Sequence, residues 1–118
     1  MKLNNSQLQS VQHVNGPMLV LAGPGSGKTS VLIQRIKYLI SECQVHPENI
    51  LAVTFSRAAA NELEKRYNSM EVKRSGGSPS FGTFHSIFFS ILRNAFGYNV
   101  NNIVSDSKKL EIIEREVL

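Results

Sequence analysis

Met18-Leu19-Val20-Leu21-Ala22-Gly23-Pro24-Gly25-Ser26-Gly27-Lys28-Thr29 is the stretch on which the fold class turns. Its first five residues form an unbroken apolar run, the pattern of a strand covered on both faces. Gly23, Gly25 and Gly27 then let the backbone curl without Cβ clashes. A helix is expected from about Lys28 to Ser41, with Leu32, Ile36, Leu39 and Ile40 on its inner face. Strand, glycine loop and helix in that order are the setting of a Walker A phosphate loop. Several backbone N–H groups would grip a triphosphate tail at once, and the helix N-terminus would add its positive dipole end. Lys28 would place a charge on the β- and γ-phosphates, and the Thr29 hydroxyl would ligate Mg²⁺. A dinucleotide-binding Gly-x-Gly-x-x-Gly fails on spacing, because Lys28 stands where the third glycine belongs. Ala22 replaces the first glycine of the Walker pattern, a small residue that still allows close packing at the strand end.

Outward from this loop, strands and helices alternate. Asn5 to His13 reads as a short helix ended by Asn15, Gly16 and Pro17. After a connection over Cys43 to Asn49, Ile50 to Phe55 reads as a second buried strand. Arg57 to Asn68 reads as a helix with Ala60, Leu63 and Tyr67 inward. Met70 to Pro79 reads as a mobile, basic loop, and Ser80 to Phe84 as a short third strand. Phe84, Phe88, Ile91, Leu92 and Ala95 trace the apolar stripe of a further helix, with Gly97 placed for a left-handed C-terminus. Ile103-Val104 is a short apolar pair, and Asp106 is a candidate cap for a last helix over Lys108 to Leu118. That helix stops in mid-pattern, which suggests a piece of a longer protein. The alternation implies parallel pairing and an α/β fold.

The composition agrees with one globular domain of 118 residues. Thirteen Lys and Arg against nine Asp and Glu leave a net charge of +4, compatible with a nucleic-acid partner without requiring one. A single cysteine, Cys43, excludes an internal disulfide and suits a reducing compartment. The polar N-terminus lacks the apolar core of a signal peptide, and the longest apolar run is too short to cross a bilayer. A cytoplasmic protein with no membrane partner is expected.

Three further stretches narrow the class. Leu3-Asn4-Asn5-Ser6-Gln7 lies upstream of the phosphate loop, where a side-chain amide can both accept from and donate to a base edge. Taken alone, Gln7 reads as a solvated helix residue, and its position ahead of the phosphate loop reverses that preference. Ala52-Val53-Thr54-Phe55-Ser56-Arg57-Ala58-Ala59-Ala60-Asn61-Glu62-Leu63 carries a strand into a helix, with Ser56 as cap and small residues in the first turn. Phe55 offers a face for base stacking there, or alternatively belongs to the core with Arg57 solvated. Gly82-Thr83-Phe84-His85-Ser86 makes a third strand-to-helix turn, where Thr83 and His85 can donate to phosphate or sugar, or His85 is a local surface residue. Ends of successive parallel strands fall along one sheet edge, where ligands of open α/β sheets bind.

Together with the Walker A loop, these stretches resemble the Q motif, motif Ia and the next DNA-contacting motif of superfamily 1 DNA helicases of the UvrD/Rep/PcrA type. The resemblance covers Leu3 to about Asp106. It implies a RecA-like P-loop NTPase fold, here a partial parallel sheet with flanking helices in a three-layer arrangement. Residues 1–106 would be the N-terminal part of the ATP-binding domain, and residues 107–118 the start of an inserted helical subdomain. It further implies ATP and Mg²⁺ as cofactors, with Gln7 on adenine and Ala22, Gly23, Pro24, Gly25, Ser26, Gly27, Lys28, Thr29 and Ser30 around the phosphates. Lys28 and Thr29 would be the catalytic contributors, Thr29 also holding the metal. Thr54, Phe55, Ser56, Arg57, Thr83, Phe84 and His85 would contact single-stranded DNA near a duplex junction. The parent would couple ATP hydrolysis to 3′-to-5′ movement, with the remaining motor domains as partners. Two departures stand out: Ser56-Arg57-Ala58 replaces the family's commoner Thr-Asn-Lys, and Ser30 stands where many relatives carry Arg.

Hydrolysis also needs an acidic pair at a strand end, and no apolar run here is followed by Asp-Glu. The chain alone is therefore expected to bind nucleotide at best and to lack turnover. A helicase-nuclease of the AddA or RecB kind shares these motifs and remains open. So does a stand-alone P-loop module that senses nucleotide or binds single strands. A small-molecule kinase would leave the Thr83-Phe84-His85 turn without a role.

Overall fold

A computed structural model describes the chain at residues 2–70, 76–97, 99 and 105–117. Its elements are α1 (Asn5–Gln12), α2 (Lys28–Ser41), a 3-10 turn (Pro47–Asn49), β1 (Leu51–Thr54), α3 (Arg57–Asn68), β2 (Ser80–Thr83), α4 (Phe84–Phe96) and α5 (Asp106–Val117). They fall into two units, residues 1–83 and 84–118, so α4 and α5 are described separately below.

In the first unit β1 and β2 pair in parallel, joined through α3, with Leu51 opposite Ser80, Ala52 opposite Phe81, Val53 opposite Gly82 and Thr54 opposite Thr83. Ile33, Ile36 and Ile40 of α2 meet Leu63 and Tyr67 of α3 in the core, with Ile50, Ala52, Met70 and Phe81 packed against them. Ala52 and Phe81 are cross-strand partners, so the core lies between one sheet face and the two helices. Tyr67 is fully buried, its ring 5.7 Å from that of Phe81. The inward set expected for α3 is the set observed: Ala60, Leu63 and Tyr67. On α2 the stripe is rotated from expectation. Ile33, Ile36 and Ile40 are buried, whereas Leu32 is 48% exposed. The 33–36–40 spacing aligns one face with α3, and Leu32 lines a cavity that Val20 also lines.

The largest departure is the run before the glycine loop. Met18 to Ala22 forms no strand, and Leu19 and Leu21 are 84% and 88% exposed. A strand exists only through ladder partners for its N–H and C=O groups, and the described sheet consists of β1 and β2 alone. Leu51 of β1 is likewise half-exposed, so the sheet is covered by helices on one face. The architecture observed is mixed α/β with a two-stranded parallel sheet.

In the second unit α4 carries its expected stripe, but Phe84, Phe88, Ile91 and Leu92 are all at least 36% exposed. Phe84 and Phe88 lie one turn apart with ring centroids 6.1 Å from each other. The helix ends at Gly97, which takes the left-handed backbone expected of it (φ 71°). Helix α5 starts at Asp106, two residues earlier than the spacing suggests, and the Ser105 hydroxyl accepts from the Lys108 N–H at 3.2 Å in the capping position; the Asp106 side chain lies outside what the structure describes. Of the basic loop expected over Met70 to Pro79, residues 71–75 lie outside the described residues, as do Ile103 and Val104. Among the described residues no helix is long and apolar enough to cross a membrane.

Candidate nucleotide site and strand-end edge

The glycine loop runs directly into α2. Gly25 and Gly27 both adopt positive φ, 74° and 83°, a region that costs other residues roughly 1–2 kcal/mol each. Ser26 folds back on Gly23, its N–H and its hydroxyl both donating to the Gly23 carbonyl. Gly27 is the N-cap of α2 and brings no side-chain cap. The first N–H groups of the helix are thus left for an anion, reinforced by the helix dipole. Lys28, the first helical residue, is exposed, and no carboxylate pairs with it among the described residues. Thr29 is half-buried one residue on. Uncapped helix start, left-handed glycines and exposed lysine suit a triphosphate. Among the described residues no cluster of three or more acidic, His or Cys side chains gathers to hold a metal.

Helix α1 brings Gln7 to this loop. Asn4 and Gln7 form a reciprocal capping box: the Gln7 N–H donates to Asn4 Oδ1 at 2.9 Å, and the Asn4 N–H donates to Gln7 Oε1 at 3.0 Å. The Gln7 Nε2 donates in turn to the Ser26 carbonyl at 2.9 Å. Gln7 therefore touches the phosphate loop itself. Each amide atom keeps one further bond to offer, a second lone pair on Oε1 and a second hydrogen on Nε2. A cavity of about 510 Å³ opens beside it, lined by Gln7, Ser26, Lys28, Leu32 and Arg35 among others. Of the loop residues expected around the phosphates, Ala22, Gly23, Pro24, Gly25 and Ser26 are exposed, while Ser30 is half-buried in the first turn of α2.

Arg35 is the residue that sequence reading passed over. It projects from α2 to the far end of α1, where its Nη1 donates to the carbonyls of Ser10 (2.9 Å), His13 and, at the outer limit, Val11 (3.5 Å). These are carbonyls that the end of a helix leaves without intrahelical partners. The one available signal was a charged side chain between the buried Ile33 and Ile36.

The second group of expected residues lies at the strand ends. Thr54 and Thr83 are register partners at the last positions of β1 and β2, so the two turns leave the sheet side by side. The Thr54 hydroxyl donates to the Ser56 carbonyl at 2.8 Å, and Ser56 caps α3 as expected, its hydroxyl accepting from the Ala59 N–H at 3.1 Å. Phe55 is 95% exposed, which rules out the core alternative for it. Arg57 is exposed at the first position of α3. Phe84 and His85 open α4 in the second unit, both exposed.

Fold and site together define the class: a mixed α/β protein with a glycine loop feeding a helix, and a helix-borne glutamine bonded to that loop. The chain belongs to the UvrD/REP helicase N-terminal domain family, whose sequence model matches residues 3–117. Its relatives include the ATP-dependent DNA helicase Rep of Buchnera aphidicola from Schizaphis graminum, 37% identical over 99% of this chain. The ATP-dependent DNA helicase PcrA of Bacillus subtilis is 40% identical over 95% of it, and a probable DNA helicase II homolog of Rickettsia conorii 41% identical over 95%. The chain spans only 18%, 16% and 18% of the lengths of these three.

Proposed function

We propose that this chain is the nucleotide-binding and single-strand-contacting portion of an ATP-dependent DNA helicase that acts in the cytoplasm and moves 3′-to-5′ on single-stranded DNA. The observation that carries the proposal is the uncapped start of α2, where left-handed Gly25 and Gly27 deliver an exposed Lys28 beside the Gln7 amide. ATP would lie with its β- and γ-phosphates on the α2 N-terminus and Lys28, Mg²⁺ beside Thr29, and its base towards Gln7. Single-stranded DNA would meet the strand ends of the first unit at Thr54, Phe55, Ser56, Arg57 and Thr83, with Phe55 stacking a base, and Phe84 and His85 would be the DNA contacts of the second unit. Residues 1–106 would belong to a RecA-like motor domain and residues 107–118 to a helical insertion. Further strands and helices of the parent would complete a three-layer fold, and the exposed Met18 to Ala22 run and the open face at Leu51 support that completion.

The test is thermal unfolding with and without ATP and Mg²⁺. Ligand at about a hundred times its dissociation constant stabilises a fold by about 2.7 kcal/mol, several degrees for a chain of this size. The shift is expected in the wild type and absent in Lys28→Ala. Steady ATP turnover above that of Lys28→Ala is not expected, because no Asp-Glu pair follows a strand in this sequence; finding it would place the hydrolytic carboxylate elsewhere in the chain.

A further inference from the structure

The Gln7 amide is held at both ends by backbone groups of different elements. Its oxygen accepts from the Asn4 N–H at the start of α1, and its nitrogen donates to the Ser26 carbonyl in the phosphate loop. Rotating the amide by half a turn would set N–H against N–H at Asn4 and oxygen against oxygen at Ser26. Its orientation is therefore fixed, and what it can still offer a ligand is one acceptor and one donor. That pair complements adenine, which presents an N6 donor beside the N7 acceptor. It mismatches guanine, which presents two acceptors, O6 and N7.

The lock holds only while α1 keeps its place over the loop. An eight-residue helix is marginal alone, so its position must come from what grips it. Its capping box fixes its own first turn and nothing beyond. From outside, α1 is held at its start by the Gln7 bond to Ser26 and along its length by the buried Val11. At its end it is held by Arg35, which gathers the Ser10, Val11 and His13 carbonyls on one guanidinium nitrogen at the negative end of the α1 dipole. Arg35 is seven residues after Lys28, about two turns along the same face of α2 and roughly 10 Å down the axis. One helix thus supplies the phosphate lysine and, two turns later, the clamp on the helix that carries the base-facing glutamine.

We propose that Arg35 is a positioning residue for base selection: by clamping the C-terminal end of α1 it keeps the Gln7 amide spanned between Asn4 and Ser26, in the one orientation that accepts adenine over guanine. The proposal rests on the nucleotide assignment above. Arg35 would act through α1 and Gln7, not on the phosphates.

The experiment measures binding of ATP, GTP and inorganic tripolyphosphate, each with Mg²⁺, to the 118-residue chain and to Arg35→Lys, Arg35→Met, Gln7→Ala and the Gln7→Ala/Arg35→Met pair. The wild type is expected to prefer ATP over GTP. Arg35→Met should lose roughly fivefold to tenfold of that preference, the scale of one hydrogen bond, with tripolyphosphate affinity within about twofold of wild type. Arg35→Lys, which can still donate to carbonyls, should recover part of it. In the Gln7→Ala background Arg35→Met should leave the ATP-to-GTP ratio unchanged, since an effect exerted through Gln7 vanishes with it. An unchanged ratio in Arg35→Met overturns the proposal alone. So does an equal loss of all three ligands, in that variant and in Arg35→Lys, which would mark Arg35 as a general support of the fold. A wild type that binds ATP no better than GTP or tripolyphosphate overturns the assignment of Gln7 to the base, and the proposal with it.

Discussion

Two apolar runs in the first unit lead into helices, and only one is a strand. Ile50 to Thr54 precedes α3 and Met18 to Ala22 precedes the glycine loop of α2. The first is paired along its length by β2 and covered on one face by α2 and α3. The second has more consecutive aliphatic side chains, yet leaves Leu19 and Leu21 almost fully in solvent. Hydrophobicity sets how much a segment gains from cover; it does not supply the cover or the ladder. Both helices that follow form regardless, because each has its own core face and its own start, a serine cap at α3 and a left-handed glycine at α2. Helix formation is thus local here, and strand formation is conditional on a partner.

The contrast can be broken hardest at Tyr67, which is fully buried against Phe81 where α3 meets the sheet. Tyr67→Ala should cost about 3–5 kcal/mol in urea unfolding, as deletion of a buried aromatic ring does, and should loosen the β1–β2 pair with it. A loss below about 1 kcal/mol would mean that the sheet does not depend on that helix face. Ser56→Ala removes the α3 cap and should cost about 1 kcal/mol. A change nearer zero would show that the Thr54 hydroxyl or water takes over the first turn. Leu19→Ser, on the unpaired run, should fall within about 0.5 kcal/mol of wild type in the same unfolding measurement. A cost comparable to that at Tyr67 would show that the run is buried in solution after all.

Much of this was legible beforehand where the determinants sit close in sequence. The bounds of α2 and α3 follow from the loop glycine, Ser56 and the spacing of apolar residues, and the inward set on α3 follows from its 3.6-residue period. Gly97 ended its helix as its residue type requires. The α2 face was misjudged because Leu32 and Ile33 are both aliphatic, and only the position of α3 chooses between them. Ser105 accepts from the first turn of α5, a cap that the neighbouring Asp106 hid in the sequence because both residue types suit the position. At the site, the loop, Lys28 and Gln7 could be read from motif spacing. Their connection could not: the Gln7 contact to Ser26 spans 19 positions and the Arg35 contact to Ser10 spans 25. A clamp made of backbone carbonyls leaves no residue signature on the side that is clamped.

The unpaired run has a further consequence for the chain in solution. Five aliphatic and small residues with no charge and no ladder form the kind of segment that adds strands from neighbouring molecules into cross-β stacks. Here it is bracketed by Pro17 and Pro24, residues that donate no N–H and interrupt an intermolecular ladder at either end. Pro24, within the glycine loop, thereby acts with Pro17 across the run as a gatekeeper against aggregation.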